Sequence, residues 1–119
     1  MIQGFELETA PLSDYEKDVL LPIMVRCLAN KVGRRSAVTN RYIVDRLTAQ
    51  GYAIQETRVR KIISHIRAKG LVPCLIATSK GYYVSKDIDE IKSYVDSLKG
   101  REMAIRAIRE AVESQAGLY

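Results

Sequence analysis

The sequence predicts a mainly α protein with a small β-hairpin, in the order three helices, hairpin and a further C-terminal helix. Three observations lead there. Between Gln55 and Gly70 the apolar residues Val59, Ile62, Ile63 and Ile66 recur at i, i+3, i+4 and i+7, which gathers them on one face of a helix. From Leu71 to Val84 the pattern turns extended, rich in Leu, Val, Ile and Tyr, and is interrupted by Ser79-Lys80-Gly81. Beyond Asp87, apolar residues return at alternating spacings of three and four, the signature of a helical seam.

The chain has 119 residues, 47% of them hydrophobic and 28% charged, enough for one compact core with an appendage. We divide it into an N-terminal arm at 1–12, a domain at 13–86 and a helical extension at 87–119. Charge is segregated along these divisions. Residues 21–86 hold thirteen Lys or Arg against Asp45 and Glu56 alone, a net +11, whereas 1–20 sum to −4 and 87–119 to −2. A field of one sign over one region favours a polyanion as partner.

The arm has no clear period and is expected to be loosely held. Ser13 and Glu16 form a capping box, so the first helix starts there and runs to about Asn30, with Val19, Leu20, Ile23, Met24, Cys27 and Leu28 as its apolar stripe. Pro22 lies inside it and predicts a kink. Lys31 to Arg35 is a basic loop, either a phosphate clamp or a solvated turn around Gly33. Ser36 to Val38 is read as a very short strand. Thr39 caps the second helix, Asn40 to about Gln50, whose buried side is Ile43, Val44 and Leu47, and Gly51 ends it.

A short connection leads to the third helix, 55–69. Opposite its apolar stripe, at about 100° per residue, lie Thr57, Lys61, Ser64 and Ala68, with Arg58 and His65 on one flank and Arg60 and Arg67 on the other. Small residues permit close approach and the basic flanks reach phosphates or base edges, so this face suits a DNA major groove; a solvated amphipathic helix is the other reading. Leu71 to Thr78 and Tyr82 to Val84 form the hairpin, with a three-residue turn that places Gly81 in a left-handed conformation. Alternation turns one of Tyr82 and Tyr83 toward the core.

Three helices followed by LIATSKGYYV resemble the winged helix-turn-helix family over Ser13 to Ser85, about 60% of the chain. The resemblance extends to small basic members of phage or mobile-element type. It implies a third helix in the major groove and a wing along the backbone, hence DNA contacts from Thr57, Arg58, Lys61, Ser64, His65 and Ala68, with Arg60 and Arg67 as flank candidates and Lys80 on a phosphate at the wing tip; Lys31, Arg34 and Arg35 of the basic loop are the candidates for the phosphate clamp beside that helix. A wing with so short a tip departs from the generous wings of that family.

Asp87 and Glu90 are placed to cap the fourth helix. Ile91, Tyr94, Leu98, Ile105, Ile108 and Val112 form its seam, interrupted by Arg101, and Glu102–Arg106, Arg106–Glu110 and Arg109–Glu113 are i,i+4 pairs. At about 1.5 Å per residue this helix reaches about 40 Å, longer than the preceding domain is wide. It therefore protrudes, folds back at Gly100 or pairs with a second copy, and a homodimer is the expected partner arrangement.

Other chemistry finds little support. One histidine and two distant cysteines give no zinc spacing, so no metal or other cofactor is expected. Cys27 and Cys74 are read as buried, reduced thiols of a cytoplasmic protein. No signal peptide or membrane span is visible, and His65 lacks a neighbouring nucleophile, so no enzyme is expected. Two function classes stay open. The favoured one is a sequence-specific double-stranded DNA-binding protein that regulates transcription or replication; the other is a winged-helix module that binds protein and uses its charge for solubility.

Overall fold

The structure, a computed structural model, describes residues 9–118. It is mainly helical, with one two-stranded antiparallel hairpin and a long C-terminal helix. The chain divides into two units at Lys86/Asp87.

In the first unit the capping box forms as the sequence predicts. The Ser13 N–H donates to Glu16 Oε1 at 2.8 Å and the Glu16 N–H to Ser13 Oγ at 3.2 Å. The next turn, Glu16–Leu20, is a π-helix, closed by the Leu21 N–H donating to the Glu16 carbonyl, and α1 continues over Leu21–Ala29. Pro22 falls in the first turn of α1, where its missing donor is tolerated. The wide turn thus accommodates the proline immediately before it, at the place where the sequence predicts a kink.

Asn40–Ala49 forms α2, with Thr39 Oγ1 accepting the Tyr42 N–H at 3.0 Å. It ends in a Schellman arrangement: the Tyr52 N–H reaches the Leu47 carbonyl at 2.8 Å and Gly51 takes φ +88°. After six residues, Gln50 to Gln55, α3 begins and runs over Glu56–Lys69. Its stripe of Val59, Ile62, Ile63 and Ile66 is at most 1% exposed and packs with Leu20, Met24 and Leu28 of the first helix and Ile43 and Leu47 of α2. At about 25 cal/mol per Å², burying four such branched side chains stabilises the unit by several kcal/mol. This stripe is the centre of the core.

The hairpin is β1, Leu75–Thr78, against β2, Gly81–Val84, in the register Leu75↔Val84 to Thr78↔Gly81. β1 is shorter than expected because Pro73 lacks a ladder donor and Cys74, at φ +59°, turns the chain before Leu75. Cys74 is accordingly exposed rather than buried, and Cys27 is half-buried; both are free thiols. The turn holds two residues, Ser79 and Lys80, rather than three. Gly81 belongs to the strand, at φ +120°. Of the strand expected at Ser36 to Val38, Val38 alone bridges the hairpin, exchanging both backbone hydrogen bonds with Tyr82 at 2.7 and 3.0 Å, while Ser36 closes a 3-10 turn at Arg34–Ser36. Val38 passes so close that a Cβ on Gly81 would lie 2.3 Å from its carbonyl oxygen. Tyr83 is the core-facing tyrosine, 1% exposed.

The second unit is one helix, α4, Ile88–Ala116, capped by Asp87, whose Oδ1 accepts the Asp89 and Glu90 N–H groups at 2.9 and 3.4 Å. It passes through Gly100 without a break, so the fold-back expected there as one alternative does not occur at that residue. Two of the three expected i,i+4 pairs form, Arg106–Glu110 at 2.9 Å and Arg109–Glu113 at 2.5 Å. No helix among the described residues is long and apolar enough to cross a membrane.

Candidate nucleic-acid interface

The outward face of α3 is built as its spacing requires. Arg60, Ser64 and Ala68 are exposed, and Thr57, Lys61, His65 and Arg67 are half-buried. Lys61, Ser64, His65 and Ala68 line one groove of about 460 Å³ together with Pro11, Leu12 and Lys17. Its lining is mostly apolar surface, from Pro11, Leu12, Ala68 and the side-chain stems, with Lys61 and Lys17 as its cations. A neighbouring cation, Arg60, pairs loosely with Glu56 across one turn at 3.4 Å, with both side chains about half exposed. Such a pair contributes little and opens readily to a phosphate.

Arg58 does not belong to this face. Its guanidinium is buried, donating from Nε to Glu16 Oε2 at 2.8 Å and from Nη2 to Glu16 Oε1 at 2.7 Å, a fork on a carboxylate. It donates further to the carbonyls of Ala10 and Pro11, each at 2.9 Å. Arg58 therefore ties α3 to the first helix and to residues 10 and 11, and it is not available to DNA. The same contacts overturn the loosely held arm over its described part, where Leu12 also packs on the core; residues 1–8 lie outside the described residues. The hydrogen bonds from Arg58, more than any other cause, hold the Glu16 carboxyl at about 2, well below the usual carboxylate range, and the pairing raises the Arg58 pKa in turn. The sequence contained both residues. In the sequence Glu16 reads as a cap, and the angular position of Arg58 beside the core stripe is the remaining signal.

The basic loop is fixed by the hairpin. The Gly33 N–H donates to the Val84 carbonyl at 2.9 Å and the Val84 N–H to the Lys31 carbonyl at 2.7 Å, and Arg34 and Arg35 are exposed on the 3-10 turn. Lys31 points elsewhere. Its Nζ stands over the Tyr42 ring at 5.8 Å from the centroid, sharing that ring with Arg46 at 5.9 Å, and it lines a cleft between α1 and α2. Lys31 thus does not line the α3 groove. Sequence reasoning missed Tyr42 and Arg46, because two cations on one ring need the α1–α2 crossing to bring them together.

At the hairpin tip Lys80 is exposed, its N–H donating to Thr78 Oγ1 at 3.2 Å while that hydroxyl donates to the Gly81 carbonyl at 3.1 Å. Tyr82 is half-buried and donates its hydroxyl to Asn40 Oδ1 at 2.8 Å, which fastens the start of α2 to the hairpin. That hydrogen bond fixes its ring to protein.

On α4, Ile91 and Tyr94 are half-buried, whereas Leu98, Ile105, Ile108 and Val112 are exposed at 40, 67, 66 and 55%. Met103 adds another exposed apolar side chain. Among the described residues, no group of three His, Cys, Asp or Glu side chains is placed to hold a metal ion. Comparison with protein-family models, curated proteins and solved structures finds no match to this chain.

Proposed function

We propose that this protein is a winged helix-turn-helix protein that binds double-stranded DNA and regulates transcription or replication, with α3 in the major groove and the hairpin as its wing. One observation carries the reading. Ser64 and Ala68, side chains small enough to admit a base edge, share a groove with Lys61 on the outer face of a helix whose inner face is the core. Element order supports it, since three helices lead into a hairpin that Val38 extends by one bridge. Arg34, Arg35 and Lys80 add exposed positive charge, and no acidic residue lies between Glu56 and Lys86. In this arrangement Lys61, Ser64, His65 and Ala68 meet bases, Arg60 and Arg67 meet phosphates on the flank, and the turn and wing cations hold the backbone. The protein acts as a dimer joined through α4.

The test is a duplex titration at two salt concentrations. If Arg34, Arg35, Arg60, Arg67 and Lys80 each neutralise one phosphate, the log-log slope of affinity against salt approaches about −4.5. Absent or salt-independent binding removes DNA as the partner and returns the chain to the protein-binding class.

A further inference from the structure

The cleft between α1 and α2 has chemistry that DNA binding does not use. It measures about 250 Å³, and its floor is made by Met24, Leu28, Ile43 and Leu47, all at most 4% exposed. At the rim stand Tyr42, 38% exposed, and the two cations over its ring, Lys31 and Arg46. No carboxylate lines the cleft, and neither cation has an ion-pair partner among the described residues. The acid nearest to Arg46 in sequence, Asp45, pairs with Arg41 instead, at 3.4 Å.

Two like charges held beside one ring repel each other, and an anion between them relieves that repulsion. The Tyr42 ring attracts both cations and keeps them at the rim of the cleft. Below the rim every floor atom is apolar enough to prefer a hydrocarbon to water. The size limits the ligand. A cavity of about 150 Å³ suffices for benzene, so this one admits a ring with a small substituent or a short chain, less than the usual drug-sized occupant.

We propose that the α1–α2 cleft binds a small apolar carboxylic acid, its hydrocarbon on Met24, Leu28, Ile43 and Leu47 and its carboxylate between Lys31 and Arg46. The site is separate from the α3 groove and stands or falls without reference to DNA.

Cys27 lines this cleft and Cys74 is exposed outside it, which supplies a reporter and an internal control in one chain. The probe is octanoate, with octanol as its uncharged counterpart, and the readout is the alkylation rate of each cysteine by peptide mass. At about ten times the dissociation constant found by titration, octanoate should slow Cys27 about tenfold and leave Cys74 unchanged. Octanol should protect far less, and Arg46→Glu or Lys31→Glu should abolish protection by octanoate. If Cys27 reacts too slowly to follow, the methyl chemical shifts of Ile23, Ile43 and Leu47 read the same occupancy. No response to octanoate at millimolar concentration overturns the proposal. Equal protection by octanol, or full protection in both charge-reversal variants, also overturns it, because the cations would then have no part in binding.

Discussion

Arg58 shows how one side chain can be misassigned by helical angle alone. It sits at the edge between the core stripe and the outer face, and the structure resolves that edge inward, onto Glu16 and the carbonyls of Ala10 and Pro11. Glu16 ionises at about 2 in the folded protein against 4.5 ordinarily, so its stability contribution is present in full above pH about 4.5 and is lost as the pH falls through 2. That shift corresponds to about 3 kcal/mol. We expect Arg58→Leu to cost about 3 kcal/mol or more at neutral pH, since it leaves a buried carboxylate unpaired. Glu16→Gln should lose most of the acid dependence between pH 4.5 and 2 in denaturant melts. A melt that keeps its acid limb in Glu16→Gln would assign that limb to other carboxylates. Lys61 makes the opposite case. It is half-buried in the groove and no hydrogen bond or ion pair ties it down among the described residues, so Lys61→Ala should weaken duplex binding while shifting stability by no more than about 0.5 kcal/mol. A large loss of stability with unchanged binding would place the DNA-reading face elsewhere.

At the scale of elements, local sequence chemistry carried most of the information. Ser13 with Glu16, Thr39, Asp87 and the Val59-to-Ile66 stripe each announced a cap or a face through short-range rules, and each forms where the spacing places it. What stayed illegible depends on distant backbone. Nothing in SKGYYV reveals that Val38, some forty residues earlier, runs against Gly81 and Tyr82, yet that approach decides why glycine stands there. The same holds for the candidate site, where the outer face of α3 was readable but the groove wall made by Pro11 and Leu12, and the Tyr42 cluster that removes Lys31 from it, were not. Gly81→Ala tests this element directly. Its Cβ would meet the Val38 carbonyl oxygen at 2.3 Å, with φ at +120°, so either the bridge separates or the hairpin shifts. We expect a loss of about 2 kcal/mol or more, at the upper end of overpacking costs, and faster amide exchange at Val38 and Tyr82. Wild-type stability and exchange in Gly81→Ala would mean that Val38 and the hairpin are not paired in solution.

For the whole molecule, the question is what covers the apolar seam of α4. Ile105, Ile108 and Val112 are more than half exposed, on a helix that at about 1.5 Å per residue is about 43 Å long. Single helices are marginal in water, and the surface pairs Arg106–Glu110 and Arg109–Glu113 add only about 0.2–0.5 kcal/mol each. A second copy of the same seam is the simplest cover, because an isologous contact buries each exposed residue against its own kind. Ile91, Leu98, Ile105 and Val112 then share one heptad position, and Tyr94 and Ile108 share the other, with Arg101 as its polar interruption. Such a dimer carries two copies of α3 and favours a palindromic target whose half-site spacing follows the dimer geometry. The core cluster draws no residue from α4, so Ile105→Glu with Ile108→Glu should leave the first unit folded and its melting unchanged. The double variant should sediment as a monomer, and its affinity for a two-half-site duplex should fall by about 10² or more while affinity for a single half-site is kept. A wild-type chain that sediments as a monomer at tens of micromolar would remove the dimer, and the seam of α4 would then have to be covered by a different partner.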